Sequence, residues 1–244
     1  MKTMTWALAA VASGLAVMTA VALAPAHAAP APEARLISPA DCACRHAVEL
    51  LNAGRYGEAM PILQRLAEGG DGIAMNDLGY VYEEGLGAPA DPAKAVAWFR
   101  KSAALGVGAA HLNLAGMYTV GDGVPRDDGE AFRQIQAAAD AGDVDGLFAL
   151  GRAYQHGTGV AVDYAKAMEI YHRAAKGGHA TALNQIGFLY QHGLGVSANP
   201  TTAYCWYAFA TANGYADSAR HIAELEAQGQ PAPPPGACEV VNRS

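Results

Sequence analysis

The residues of this 244-residue chain best suited to metal, redox or nucleophilic chemistry are four cysteines, eight histidines and a recurring set of aspartates. Their spacing decides what they can do. Cys42 and Cys44 are one residue apart, too tight for a zinc pair, which needs two to four intervening residues and a second pair elsewhere. His156 and His192 stand directly before Gly157 and Gly193. A ladder of two such histidines would have to reach across about 10 Å, the usual spacing of packed helices, and no third ligand accompanies it. A histidine in the last turn of a helix also suits the negative end of the helix dipole, so the pair reads as structural and no metal is expected. Asp91, Asp127 and Asp163 recur in step with Asn199, and all four are residue types that cap a helix N-terminus. The repeated Gly-x-Gly lacks the Lys-Ser/Thr and the preceding strand of a phosphate loop. With no nucleophile set beside a base, neither an enzyme nor a cofactor is expected.

What positions these residues is a period of 36. Tyr82, Tyr118, Tyr154 and Tyr190 are linked by that step, as are Gly85, Gly121, Gly157 and Gly193, and Gly87, Gly123, Gly159 and Gly195. The columns Ala95/Ala131/Ala167/Ala203 and Gly106/Gly142/Gly178/Gly214 complete the pattern. A fixed period of this length identifies a repeat protein. The copies run 71–106, 107–142, 143–178 and 179–214.

Within a copy, Gly146, Leu150, Gly151 and Tyr154 lie on one face of a first helix of about three turns. The tiny residue of the column Gly79/Ala115/Gly151/Gly187 predicts close approach of a second helix, since glycine in a helix interior otherwise costs up to ~1 kcal/mol. Gly-x-Gly ends the first helix by accepting positive φ. The second helix starts at the Asp/Asn column, with Pro92 and Pro200 at the first helical position, where proline loses no hydrogen bond. Its buried face is Ala167, Ile170, Tyr171 and Ala174. A hairpin apolar on both sides is covered only by its neighbours. The expected fold is all-α, an α-solenoid of stacked antiparallel helix pairs.

The pattern A-x3-LG-x2-Y-x2-G-x-GV-x2-D-x3-A-x2-W/F-x3-AA-x2-G resembles the Sel1-like repeat, a relative of the tetratricopeptide repeat with a longer loop between its helices. The second copy departs most, with Gln134 and Ile135 where aromatics are usual. The resemblance implies an exported bacterial scaffold that binds other proteins. Some exported relatives carry a cysteine pair in each repeat and have been linked to β-lactam binding. Those repeated pairs are absent here, and an exported hydrolase acting on cell-wall or β-lactam material stays as the alternative, by family analogy only.

Lys2, an apolar run from Trp6 to Leu23 and Ala26-His27-Ala28 predict a signal peptide over 1–28 cleaved after Ala28, with an uncleaved membrane anchor as the rival. Residues 29–41 form a Pro/Ala-rich linker and 42–70 a capping hairpin with a tight turn at Asn52–Gly54. A capping helix over 215–228 and a Pro-rich tail over 229–244 follow. In an exported chain disulfides are the default. A Cys205–Cys238 bridge would tie the tail to the last repeat, and a strained Cys42–Cys44 ring is the other pairing considered. The formal charge is −7, and −8 once Lys2 is removed with the signal. With basic residues scattered singly, this argues against nucleic acid and anionic lipid as ligands.

By resemblance to the tetratricopeptide repeat, the first helices line the concave side, and their positions not used in packing form a groove for a peptide or protein partner. One row is Asn76, Leu112, Phe148 and Asn184. A second is Tyr80, Gly116, Arg152 and Phe188, and a third is Glu83, Thr119, Gln155 and Gln191. Tyr80, Phe148, Phe188 and Arg152 belong to residue types enriched at binding hot spots. The competing expectation is that the phenylalanines fill gaps between repeats.

Overall fold

The computed structural model describes residues 42–234 and 236–238, which form eleven described helices and no described strand. The expected signal peptide and linker lie outside the described residues. A short hairpin comes first, α1 (Cys42–Asn52) and α2 (Tyr56–Glu68), turning at Gly54 with φ of 69°. Four long hairpins follow, α3 (Gly72–Glu84) with α4 (Pro92–Ala104), α5 (Gly108–Val120) with α6 (Asp128–Asp140), α7 (Val144–His156) with α8 (Tyr164–Lys176), and α9 (Ala180–His192) with α10 (Pro200–Ala212). The helix α11 (Ser218–Ala227) closes the stack. Each helix of the four long pairs spans 13 residues and starts 36 residues after its counterpart.

Local sequence accounts for these boundaries. The side chains of Asp91, Asp127, Asp163 and Asn199 accept from the amides three residues on, at 2.8–3.0 Å. Their own amides donate to the carbonyls of Tyr82, Tyr118, Tyr154 and Tyr190. Each loop is thereby anchored to the helix it leaves. The first helices are capped as well, by Asp71, Asp143 and His179, whereas Val107 at the same place offers no side-chain acceptor.

Glycine sets the distance between helices at two columns. A Cβ on Gly79, Gly151 or Gly187 would lie 2.5–2.8 Å from the ring of Phe99, Tyr171 or Tyr207, so the aromatic of the second helix rests on bare backbone of the first. The second copy reaches the same end with different residues: Ala115 carries a Cβ, and Ile135 replaces the ring. The other column is the second glycine of Gly-x-Gly. Gly123, Gly159 and Gly195 adopt φ of 67–71°, and a Cβ there would collide with the first turn of the preceding repeat's second helix, at Pro92, Asp128 and Tyr164–Ala165. That contact locks one repeat onto the next.

Hydrogen bonds and ring contacts bring the first helices together. Asn113 Nδ2 of α5 donates to Asn76 Oδ1 of α3 at 2.9 Å, and Ser218 Oγ of α11 donates to Asn184 Oδ1 of α9 at 2.8 Å. The Phe148 ring of α7 stacks on His179, the cap of α9, with centroids 4.1 Å apart. Among the described elements, α5 and α7 are the like helices of adjacent repeats with the most backbone contact, although each packs mainly on its neighbours in sequence. The first helices of successive repeats thus meet along one side of the stack, the side expected from the resemblance to be the inner one. At the far end a disulfide joins Cys205 of α10 to Cys238, with Cα atoms 5.1 Å apart, and Gln230 Nε2 donates to Thr201 Oγ1. The Cys42 and Cys44 side chains lie outside the described set.

Candidate interaction groove

The three rows expected to line the groove are divided by the structure. Asn76, Asn184, Gln155 and Glu83 are buried, which corrects the expectation that packing leaves these positions free. Asn76 and Asn184 tie first helices together through the bonds described above. Gln155 Oε1 accepts from the Tyr171 hydroxyl at 2.6 Å, and half-buried Gln191 accepts from Tyr207 at 2.6 Å. Burial drives both phenols well above their ordinary pKa, so they remain donors across the working pH range. The pairing explains the column. Where the second helix carries tyrosine the first carries glutamine, and where it carries Ile135 the first carries Thr119, which bonds back to Ala115 O at 2.8 Å. Glu83, in the copy whose second helix carries Phe99, is also buried.

Phe148 follows the competing expectation of filling a gap between repeats, and Tyr80 packs rather than standing open. One face of Phe148 is covered by His179 and its edge approaches Tyr171, with centroids 5.8 Å apart. It brackets the junction between the third and fourth copies rather than standing open. His179 is held by the cap bond from Ala182 N at 3.2 Å and by Asp145 at 3.4 Å. Tyr80 packs against the apolar cluster of Val96, Phe99 and Leu114.

Leu112, Arg152, Phe188 and Gln191 remain half-exposed on the inner side. Beside them runs a row absent from the sequence reading of the groove, formed by the last residue of each first helix: Glu84, Val120, His156 and His192, all exposed. The 36-residue step would have found it, one position after the third row. His192 packs against Phe188, with centroids 4.2 Å apart, and its Nδ1 lies 2.9 Å from Phe188 O. Desolvation of its ring by neighbouring atoms, then the nearby Arg152 charge, holds His156 below the usual imidazole pKa. The inner face thus carries the exposed carboxylate of Glu84 at the first copy and the guanidinium of Arg152 at the third. Among the described residues no group of three or more His, Cys, Asp or Glu side chains could hold a metal.

A stack of helical hairpins with a half-open, aromatic and charged inner face belongs to the class of α-solenoid scaffolds that present a surface to another macromolecule. The Sel1 repeat profile matches residues 72–107, 108–143, 144–179 and 180–215, more than half of the chain. The chain belongs to the Sel1 repeat family, whose members are protein-interaction scaffolds rather than typical enzymes. It is similar to a Sel1 repeat protein from Oxalobacter formigenes at 34% identity and a TM-score of 0.71, covering 77% of this chain and 78% of that one. It is also similar to c5321, a protective antigen of uropathogenic Escherichia coli, at 32% identity and a TM-score of 0.67. That match covers 80% of this chain but spans only 45% of that protein. The immunity protein Pa5087 from Pseudomonas aeruginosa, at 22% identity and a TM-score of 0.52 over 86% of this chain and 82% of that one, shares the fold. No curated protein matches the chain.

Proposed function

We propose that the chain is an exported scaffold that holds an extended peptide or a segment of a partner protein along the inner face of the solenoid, in service of an envelope process. The observation that carries this reading is the set of inner-face residues left partly open, even where, like Leu112 and Phe188, they also pack on the core. Val120 is 51% exposed, and Leu112, Arg152 and Phe188 lie half-open beside it, on helices held rigid by the glycine and tyrosine columns. Aromatic and aliphatic groups on a rigid support give contact area at low entropic cost, and arginine adds directed hydrogen bonds. Export rests on the N-terminal pattern and fits a disulfide between Cys205 and Cys238. No described helix is long and apolar enough to cross a membrane.

Two experiments test the reading. N-terminal sequencing of the protein recovered from the periplasm is expected to begin at Ala29, and retention of the first 28 residues in a membrane fraction would overturn the cleaved-signal reading. A photo-crosslinking residue placed at Val120 is expected to trap a partner in cells, whereas one at Glu169, exposed on α8, traps none. Equal trapping at both positions would remove the groove from the account.

A further inference from the structure

The inner face has a local charge opposite to that of the whole molecule. The chain carries a formal charge of −7, yet the ends of α7 and α9 gather Arg152, His156 and His192. No acid opposes them on those helices. The helix α9 contains no acidic residue, and the one acid of α7, Asp145, lies in the first turn and faces His179. Among the described residues Arg152 forms no hydrogen bond and no ion pair. Its charge is felt at two neighbours on the same side, the His156 ring and the buried Tyr171 hydroxyl. The Tyr171 hydroxyl already donates to Gln155 and so does not neutralise it. Phe188 is the counterpart of Arg152 one repeat on, roughly 10 Å away by the spacing of packed helices, half-exposed, with its ring tilted against His192 and partly packed on the core.

A half-buried guanidinium without a counterion is costly, because partial desolvation weakens its hydration and nothing replaces it. It is matched by a carboxylate, which the planar fork of arginine holds with two parallel hydrogen bonds. The adjoining ring asks for an apolar neighbour. From this juxtaposition, and resting on the groove reading above, we propose that the partner is an acidic peptide segment. One Asp or Glu side chain of it pairs with Arg152 in the third repeat, and an aromatic or large aliphatic residue a few positions away lies on Phe188 in the fourth. The site differs from a clamp for a chain terminus, which would use several cations. Here there is one arginine, with His156 one turn further along the same helix. A solely structural role is the competitor, since cations also suit the carbonyl end of a helix.

Selection of displayed random peptides on the full-length protein separates these possibilities. The selected sequences are expected to carry Asp or Glu close to an aromatic or aliphatic residue. The best of them, as a labelled peptide, is expected to bind Arg152→Gln about tenfold more weakly or worse, a change of about 1.4 kcal/mol. Arg152→Lys, which keeps the charge but loses the fork, is expected to recover part of that loss. The melting temperature of Arg152→Gln should match the wild type. Selected peptides that compete with crosslinking at Val120 but carry no acid, or bind Arg152→Gln equally well, would overturn the acidic partner and leave the groove standing. Peptides that ignore both Val120 and Phe188→Ala would overturn the groove too. A drop in melting temperature with unchanged binding would assign Arg152 to the helix end alone. Equal Arg152-dependent binding of oligothymidylate would replace the peptide by nucleic acid. Failure to enrich any sequence would also count against the proposal.

Discussion

Asp77 gives the sharpest test of the packing. It is fully buried on α3. Its Oδ1 accepts one long bond, 3.4 Å from Asn76 Nδ2, and its Oδ2 has no hydrogen-bond partner among the described residues. Burial pushes its pKa up to about 8, opposed by the Asn76 bond and reinforced by the Asp71 charge. The folded protein therefore keeps the proton while the unfolded chain loses it near the ordinary value of 3.8. Between pH 4 and pH 8 the unfolded state binds fewer protons, so stability falls as pH rises through this window and levels off above it. Each unit of pKa difference is about 1.4 kcal/mol, and the span sets an upper limit on the order of 5–6 kcal/mol. Water penetration and local relaxation lower this to about 2–5 kcal/mol. Asn113, one step of 36 later, shows that an amide is accommodated at this column, where it donates to Asn76. Asp77→Asn is therefore expected to match the wild type at pH 4 and to exceed it at pH 8 by that amount, read from urea unfolding at each pH. The difference curve cancels the other carboxylates. A mutant curve parallel to the wild type, or a mutant less stable at pH 8, would refute an unrelieved carboxyl at this junction.

Three further outcomes follow from the same packing. Gly159→Ala is expected to cost roughly 2–4 kcal/mol, combining left-handed backbone strain with the clash against Asp128. Gly178→Ala, at φ of 94° with open space around it, should cost only about 1–2 kcal/mol, and equal losses by thermal unfolding would mean that the inter-repeat contact is not tight. Tyr171→Phe leaves the buried Gln155 oxygen without its donor and should cost about 1–3 kcal/mol. Most of that should return when Gln155→Leu is added, and a double-mutant cycle with no coupling would contradict the pairing. Cys238→Ser opens a loop of 33 residues and should cost up to about 3–4 kcal/mol by the chain-entropy relation, an effect that reductant should reproduce in the wild type but not in the mutant.

Much of this architecture is legible in the sequence because it depends on residues with one dominant role. Glycine at positive φ, Asp or Asn at a helix start and alanine in a tight contact each mean nearly the same thing wherever they occur, so the 36-residue columns translate directly into helix ends and interfaces. The inner face is less legible. Asn76, Gln155 and Asn184 are polar residues at helical spacing, and nothing in their own columns distinguishes a solvated amide from one buried against a neighbour. The information lies in pairs of columns, Gln with Tyr and Thr with Ile, and it becomes readable once the second helix is laid on the first. Phe148 is misleading for the same reason: its cover, His179, belongs to the next repeat and doubles as a helix cap. The exposed row from Glu84 to His192 was hidden behind the histidines' plausible role at the helix end.

The central claim is that the inner face binds while the columns behind it hold the fold. Arg152→Gln combined with Val120→Lys tests this without touching a glycine, cap or tyrosine column. Tyr80 and Phe188 are left in place because both rings pack on the core. The measurement is partner capture in cells together with the urea midpoint of the same purified double mutant. The account predicts that capture falls at least tenfold, about 1.4 kcal/mol or more, while the midpoint stays close to that of the wild type. Undiminished capture by a protein whose midpoint has dropped would contradict it, because these side chains would then belong to the core and the partner would dock elsewhere.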